Sequence, residues 1–147
     1  MRLVKQEDPF GCGVACIAFI LKINYHQALT LFKDGKIRAK EKPNFYCREM
    51  VMILNHSGLK YQYKYLKKRL LKKIYQPNTI VFIKRSKKYP FGHYLIRANR
   101  QWMDPLAGFR TKLPGKPIYE KISHIFNHHS RRNNWSYCCL FYIWKKV

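Results

Sequence analysis

Residues Gln6–Leu21, QEDPFGCGVACIAFIL, set a polar lead-in against an apolar run, with Gly11 at the seam. Asp8-Pro9 and Gly11 are turn punctuation. From Val14 onward, Val14, Ile17, Ala18 and Leu21 recur at helical spacing, which predicts a helix with a buried face. Cys12 therefore falls at the mouth of that helix, between Gly11 and Gly13. A thiol there sits among unpaired backbone N–H groups at the positive end of the helix dipole, which favours thiolate over thiol. Flanking glycines let another backbone approach the sulfur closely. Gln6 lies six residues upstream and carries an amide able to donate two hydrogen bonds. The pattern points to a nucleophilic thiol with an oxyanion donor beside it. Cys16, one turn further in beside Ala15 and Ile17, reads as a small buried hydrophobe.

At 147 residues the chain is expected to form one domain (1–147), long enough to bury about two-thirds of the surface its unfolded form exposes. Apolar content of 47% with 16% aromatics excludes general disorder. The longest continuous apolar run, Val14–Leu21, is far short of the about 20 residues a membrane-spanning helix needs. Gln6, Glu7, Asp8 and Pro9 separate the basic start from that run, and no small-residue cleavage site follows, so no signal peptide is expected. These features imply synthesis and residence in the cytoplasm, or export as an effector without a signal peptide. Five cysteines, two of them adjacent (Cys138-Cys139), make a poor disulfide framework and suit a reducing compartment. A metal site built from Cys12, Cys16, His128 or His129 and Cys138 or Cys139 lacks the usual ligand layout. The GxGxxG and GxxxxGK[ST] phosphate loops are absent, and no cofactor is implied.

The net charge of +23 arises from 30 Lys and Arg against 7 Asp and Glu. Such a field attracts nucleic acid, anionic membranes and acidic proteins without discriminating among them. It also makes carboxylates scarce, so each of the seven needs a reason.

Asn24–Lys33 is expected to be a second helix capped by Asn24, with Ala28, Leu29 and Phe32 on its apolar face and His26 at its surface. Asp34–Pro43 reads as a charged loop. Asn44–His56 reads as a third helix carrying Cys47, with Met50, Val51, Ile53 and Leu54 inward and Ser57-Gly58 as its C-terminal cap. The period then changes. Lys60–Leu66 alternates Tyr61, Tyr63 and Tyr65 with polar residues, a strand with an aromatic face. Lys67–Ile74 is a basic helical turn or two, a phosphate contact or a solvated face. Thr79–Lys84 is a short apolar strand, and Arg85–Pro90 a basic loop. Pro114–Pro117 is a loop, Ile118–Phe126 a short helix and Asn127–Asn134 an exposed polar run. Trp135–Lys145 closes the chain as an apolar strand, central or packed on both faces. Helices first and strands afterwards predict an α+β domain with an antiparallel sheet.

The second piece of chemistry lies in Phe91–Gly108. His93 opens a strand, Asn99-Arg100 turns the chain, Gln101-Trp102-Met103 begins the partner strand, and Asp104-Pro105 ends it. In such a hairpin the start of one strand lies beside the end of the other, so His93 and Asp104 can be neighbours. A carboxylate holding an imidazole is the orienting half of a catalytic triad.

Gln6-x(5)-Cys12-Gly13-x-Ala15-Cys16, then Gly92-His93-Tyr94-Leu95-Ile96, then Asp104-Pro105-x-x-Gly108 together resemble the C39 family of papain-fold cysteine peptidases. Those are the bacteriocin-processing, double-glycine leader peptidases found at the N-terminus of some bacterial ABC exporters. The resemblance spans nearly the whole chain. It implies a papain-like fold, with Cys12 as nucleophile, His93 as general base and acid, Asp104 as orienter and Gln6 completing the oxyanion hole. Its implied substrate is a peptide or protein cut after two glycines. Two departures stand out: family members commonly carry Asp where this chain has Gly11, and an exporter would continue where this chain stops. Two rivals carry the remaining features: an amidase, deamidase or acyltransferase on the same triad, or a non-enzymatic basic domain binding nucleic acid. In the latter, Lys67–Lys73 and Lys84–Lys88 would contact phosphate while tyrosines stack on bases.

Overall fold

The computed structural model describes residues 2–83, 87–113 and 141–146. The elements expected between 114 and 134, together with His128, His129, Cys138 and Cys139, lie outside the described residues, as does the first part of the closing strand. Among the described residues, four α-helices come first: α1 (Cys12–Leu21), α2 (Tyr25–Thr30), α3 (Gly35–Glu41) and α4 (Cys47–His56). Six strands follow: β1 (Tyr61–Tyr65), β2 (Ile80–Ile83), β3 (His93–Ala98), β4 (Gln101–Asp104), β5 (Gly108–Arg110) and β6 (Phe141–Lys145). They form one antiparallel sheet in the order β1-β6-β2-β3-β4-β5. The architecture is α+β.

Val14, Ala15, Cys16, Ile17 and Ala18 are all fully buried, so the first turns of α1 are enclosed on every side rather than along one stripe. α2 starts with a reciprocal capping box: Asn24 Oδ1 accepts from the Gln27 N–H at 2.7 Å, and Gln27 Oε1 accepts from the Asn24 N–H at 3.0 Å. It ends at Thr30, earlier than its apolar spacing predicts. α4 buries Met50, Val51, Ile53 and Leu54 as expected. Its end is a Schellman motif: the Gly58 N–H reaches Asn55 O at 3.1 Å and the Leu59 N–H reaches Leu54 O at 3.0 Å, with Gly58 at φ +80°.

Two segments differ from expectation. Asp34–Pro43 is not a loop, because α3 occupies most of it. Its stability comes from outside its own sequence. Arg38 donates to Glu49 Oε1 and Oε2 at 2.7 Å each and to the Asn44 carbonyl at 2.6 Å, while Ala39 is fully buried. Beyond Asp104 the chain does not stop pairing: β5 adds three residues to the sheet edge, with Asp104 opposite Gly108. The basic turn at Lys68–Tyr75 is a 3₁₀ helix.

The sheet separates two apolar clusters. Ile80, Tyr94, Ile96, Ala98, Met103 and Ile143 face the helices, joining Val14, Ile17, Met50 and Leu54. The alternate residues Val81, Leu95, Trp102, Tyr142 and Trp144 pack with Leu66 and with Ile74 of the 3₁₀ helix. Strand alternation thus sends both faces into apolar surroundings. β6 lies between β1 and β2, the central place its continuous apolar run predicts. Among the described residues, no helix is long and apolar enough to cross a membrane.

Candidate active site

Three elements deliver the three residues singled out from the sequence. Cys12 is the first residue of α1, His93 the first of β3 and Asp104 the last of β4. The β3–β4 register pairs Ile96 with Met103 and Arg97 with Trp102. One further step sets Leu95 opposite Asp104, which makes His93 and Asp104 diagonal neighbours on one face. His93 Nε2 lies 2.8 Å from Asp104 Oδ1, and both side chains are buried. Cys12 stands close enough to the same imidazole to shift its ionisation, and the two residues line one cleft. With Nε2 held by the carboxylate, Nδ1 is the ring nitrogen left for sulfur. The hairpin and the helix mouth therefore border one cleft.

Close packing fixes the imidazole. Tyr89 stacks on it, with ring centroids 4.7 Å apart and planes 5° from parallel. Gly92, immediately before it, has φ +81°, and a Cβ there would strike the Phe82 ring. Glycine is required at that position for two separate reasons. Gly13 lets α1 settle on β3, since a Cβ would press on Tyr94, Met50 and Phe45 at 3.3–3.5 Å. Tyr94 is held in turn by donating to the Phe45 carbonyl at 2.9 Å, with Cys47 Sγ 3.5 Å from its oxygen.

Asp104 is held from several directions. The N–H groups of Leu106 and Ala107 donate to Oδ1 at 2.9 and 3.3 Å, an Asx-type turn closing on the β4–β5 connection. Arg110 Nε stands 2.9 Å from Oδ2 as an ion pair without hydrogen-bond alignment. The two ionisations reinforce each other. Burial pulls the imidazolium of His93 down, but hydrogen bonds to Asp104 and Cys12 and their charges outweigh it, raising the pKa to about 9. Burial pushes Asp104 up, yet the His93 hydrogen bond, the Leu106 N–H and the charges of His93 and Arg110 bring it down to about 2. Burial is the largest influence on Cys16, whose thiol is pushed well up.

Gln6 reaches the same cleft but not in the orientation expected. Its Nε2 donates to the carbonyls of Asp8 at 3.0 Å and Pro9 at 3.1 Å, which occupies both N–H groups. Oε1 is buried without a partner among the described residues. The lead-in is pinned by the Gln6 N–H on the Pro105 carbonyl at 3.1 Å and the Phe10 N–H on the Ala39 carbonyl at 2.9 Å. These contacts turn the Gln6 amide toward its own turn rather than toward the thiol.

Cys12 and His93 open onto a cleft of about 850 Å³. Its walls are aromatic, with Tyr46, Tyr63, Tyr65 and Phe91 exposing their rings, and its charged described residues are Arg48 and Lys88. Phe91 is braced edge-to-face on Phe10 at 5.2 Å. Trp102 is fully buried in the cluster with Leu95 and Tyr142 and does not line the cleft. Tyr94 and Phe91 do line the cleft. Among the described residues, no group of three or more His, Cys, Asp or Glu side chains could hold a metal ion.

Neither Tyr89 nor Arg110 carries a sequence signal of its own. Tyr89 sits in a segment that reads as a basic loop, and Arg110 lies past the expected end of the sheet. The scarcity of acids was the available clue to Arg110, since a buried carboxylate among so many cations draws a partner. No protein-family model matches the chain, and neither does any curated protein.

Proposed function

We propose that this protein is a cysteine peptidase with a papain-like fold, similar to the C39 family. One observation carries the reading: a buried imidazole held by the Asp104 carboxylate lines an open cleft together with Cys12. Cys12 sulfur attacks the carbonyl carbon of a peptide bond, and the carbonyl π electrons move to oxygen. In this reading the backbone N–H of Cys12, at the N-terminus of α1, receives that oxyanion. His93 delivers its proton to the leaving nitrogen, the C–N bond breaks, and a thioester remains. Water then attacks the thioester with His93 taking its proton, and the carboxylic acid departs from sulfur. Gln6 serves as a second oxyanion donor when its amide exchanges the Asp8 and Pro9 carbonyls for the substrate.

Gly11 stands where family members commonly have Asp. Tyr25 accounts for that departure: its hydroxyl occupies the space a Cβ at position 11 would need, and it donates to Asp8 Oδ2 at 3.1 Å. Cleavage after two glycines rests on the resemblance and on glycine's ability to pass the Phe91 and Tyr94 rings without a side chain. The same triad would serve an amidase, deamidase or acyltransferase, which differ in the acyl group presented.

The deciding experiment pairs thiol labelling with a peptide library. Limited iodoacetamide at about pH 6 should modify Cys12 ahead of Cys16 and Cys47, and the labelled protein should lose hydrolysis. Labelling that ignores Cys12 removes the nucleophile. Equal cutting after Gly-Gly, Ala, Leu and Arg would leave a thiol hydrolase without double-glycine preference.

A further inference from the structure

The β4–β5 connection brings a second cation to the buried carboxylate. The register pairs Trp102 with Arg110 and Asp104 with Gly108, so Arg110 is a diagonal neighbour of Asp104 from the β5 side, as His93 is from the β3 side. Gly108, at φ +88°, provides the left-handed turn that starts this strand. Each carboxylate oxygen has its own cation: Oδ1 faces His93 Nε2 at 2.8 Å, and Oδ2 faces Arg110 Nε at 2.9 Å. The Asp104 side chain is 1% exposed and that of Arg110 33%, so one partner of this pair is dry and the other touches solvent. Asp104 therefore divides one negative charge between an imidazole that must gain and lose a proton and a guanidinium that never does.

We propose that Arg110 is a positioning residue of the Cys12–His93–Asp104 site, sharing the Asp104 charge with His93 and tempering the imidazolium's hold on its proton. The inference rests on the hydrolase reading of that site. A cation on the far oxygen weakens the field that Asp104 exerts on His93, so the proton leaves the imidazolium at lower pH than it would beside an unshared carboxylate. The titratable and charged groups around His93 and Asp104, among the described residues, are Cys12 and Cys16 from α1, Tyr89 from the segment before β3, and Arg110 from β5. Arg110 is the permanent cation of that set.

The test reads the His93 titration by NMR of its ring protons, without substrate, in the full chain. Arg110→Met keeps much of the side-chain bulk and removes the charge. Its His93 titration should move up by about one pH unit, and the alkaline limb of any peptide or thioester hydrolysis should move with it. Arg110→Lys should stay within about a third of a unit of the unmodified protein, because it retains the charge. Should Arg110→Met fail to fold, Arg110→Gln makes the same measurement, since it keeps a polar head group and removes the charge. Its His93 titration should move upward by a similar amount. An unmoved titration in Arg110→Met, or in Arg110→Gln where the first variant is unfolded, overturns the proposal and leaves Arg110 a surface ion pair. An inactive protein whose titration still follows Arg110 would sink the hydrolase reading alone. An active protein with an unmoved titration would sink only the role of Arg110.

Discussion

At the scale of single residues, the site depends on side chains that are missing as much as on those present. Gly11 faces the Tyr25 hydroxyl, so Gly11→Ala forces the ring aside and should destabilise the fold by about 1–3 kcal/mol. Adding Tyr25→Phe should recover part of that loss, since the closest colliding atom is the hydroxyl oxygen. Urea unfolding of the two single variants and the double variant checks this, and strictly additive losses would contradict it. Asp104 makes a sharper prediction. Asp104→Asn keeps a hydrogen-bonding group but removes the charge that raises His93, so the His93 titration should fall from about 9 toward its ordinary value. Turnover should fall by up to about 10⁴, by analogy with serine triads. Cys12→Ala should abolish turnover while leaving the His93–Asp104 contact in place. Full activity in Asp104→Asn would mean that the buried pair has no part in the chemistry.

At the scale of elements, the helix mouth and the hairpin are joined through residues that neither contains. α3 is the clearest case. Its backbone would fray alone, being seven residues long. Arg38 ties it to α4 through both oxygens of Glu49 and also stacks over Phe45 at 4.6 Å from the ring centre. Arg38→Ala should therefore cost about 1.5–3 kcal/mol, the range of hydrogen bonds to charged groups. Because the Ala39 carbonyl anchors Phe10 and Phe10 braces Phe91, the same change should raise KM more than it lowers kcat. Thermal unfolding and peptide-hydrolysis kinetics measure the two effects. A stable variant with unchanged kinetics would show that α3 does not support the cleft.

At the scale of the whole molecule, the linked ionisations define a pH window. His93 rises from 6.5 to about 9 on folding, so the stability it contributes is fully present below about 6.5 and is lost as pH rises through 9. Asp104 falls from 3.8 to about 2, so its contribution is present above 3.8 and is lost as pH falls through 2. Stability contributed by this pair should peak between about pH 4 and pH 6.5 and decline toward pH 9, a decline that Asp104→Asn should flatten. A melting temperature that climbs steadily from pH 6.5 to 9 would contradict the coupling. The net charge of +23 acts on another scale, through long-range attraction. Binding to nucleic acid should be sequence-blind, weaken steeply with salt, and be unchanged in Cys12→Ala. Sequence-selective, salt-tolerant binding in a gel-shift titration would favour the nucleic-acid reading over the hydrolase.

Local patterns carried much of this protein. The helix beginning at Cys12, the Asn24 cap, the buried side of α4 and the β3–β4 hairpin are set by spacing and turn chemistry within a few residues, and the structure contains each of them. The juxtaposition of His93 with Asp104 was legible for the same reason: a two-residue connection fixes the register on both sides of it. What lay beyond the sequence depends on partners distant along the chain. α3 forms because Arg38 reaches Glu49, and Trp102 is buried because Leu66, Ile74 and Tyr142 cover its face of the sheet. Gly11 is required by Tyr25, fourteen positions away. The Gln6 amide illustrates the limit most plainly. Spacing brought it to the cleft, but the competing carbonyls of Asp8 and Pro9 decided which way its N–H groups point. A backbone period determines where a side chain starts; the polar groups that meet it in the folded protein determine what it does.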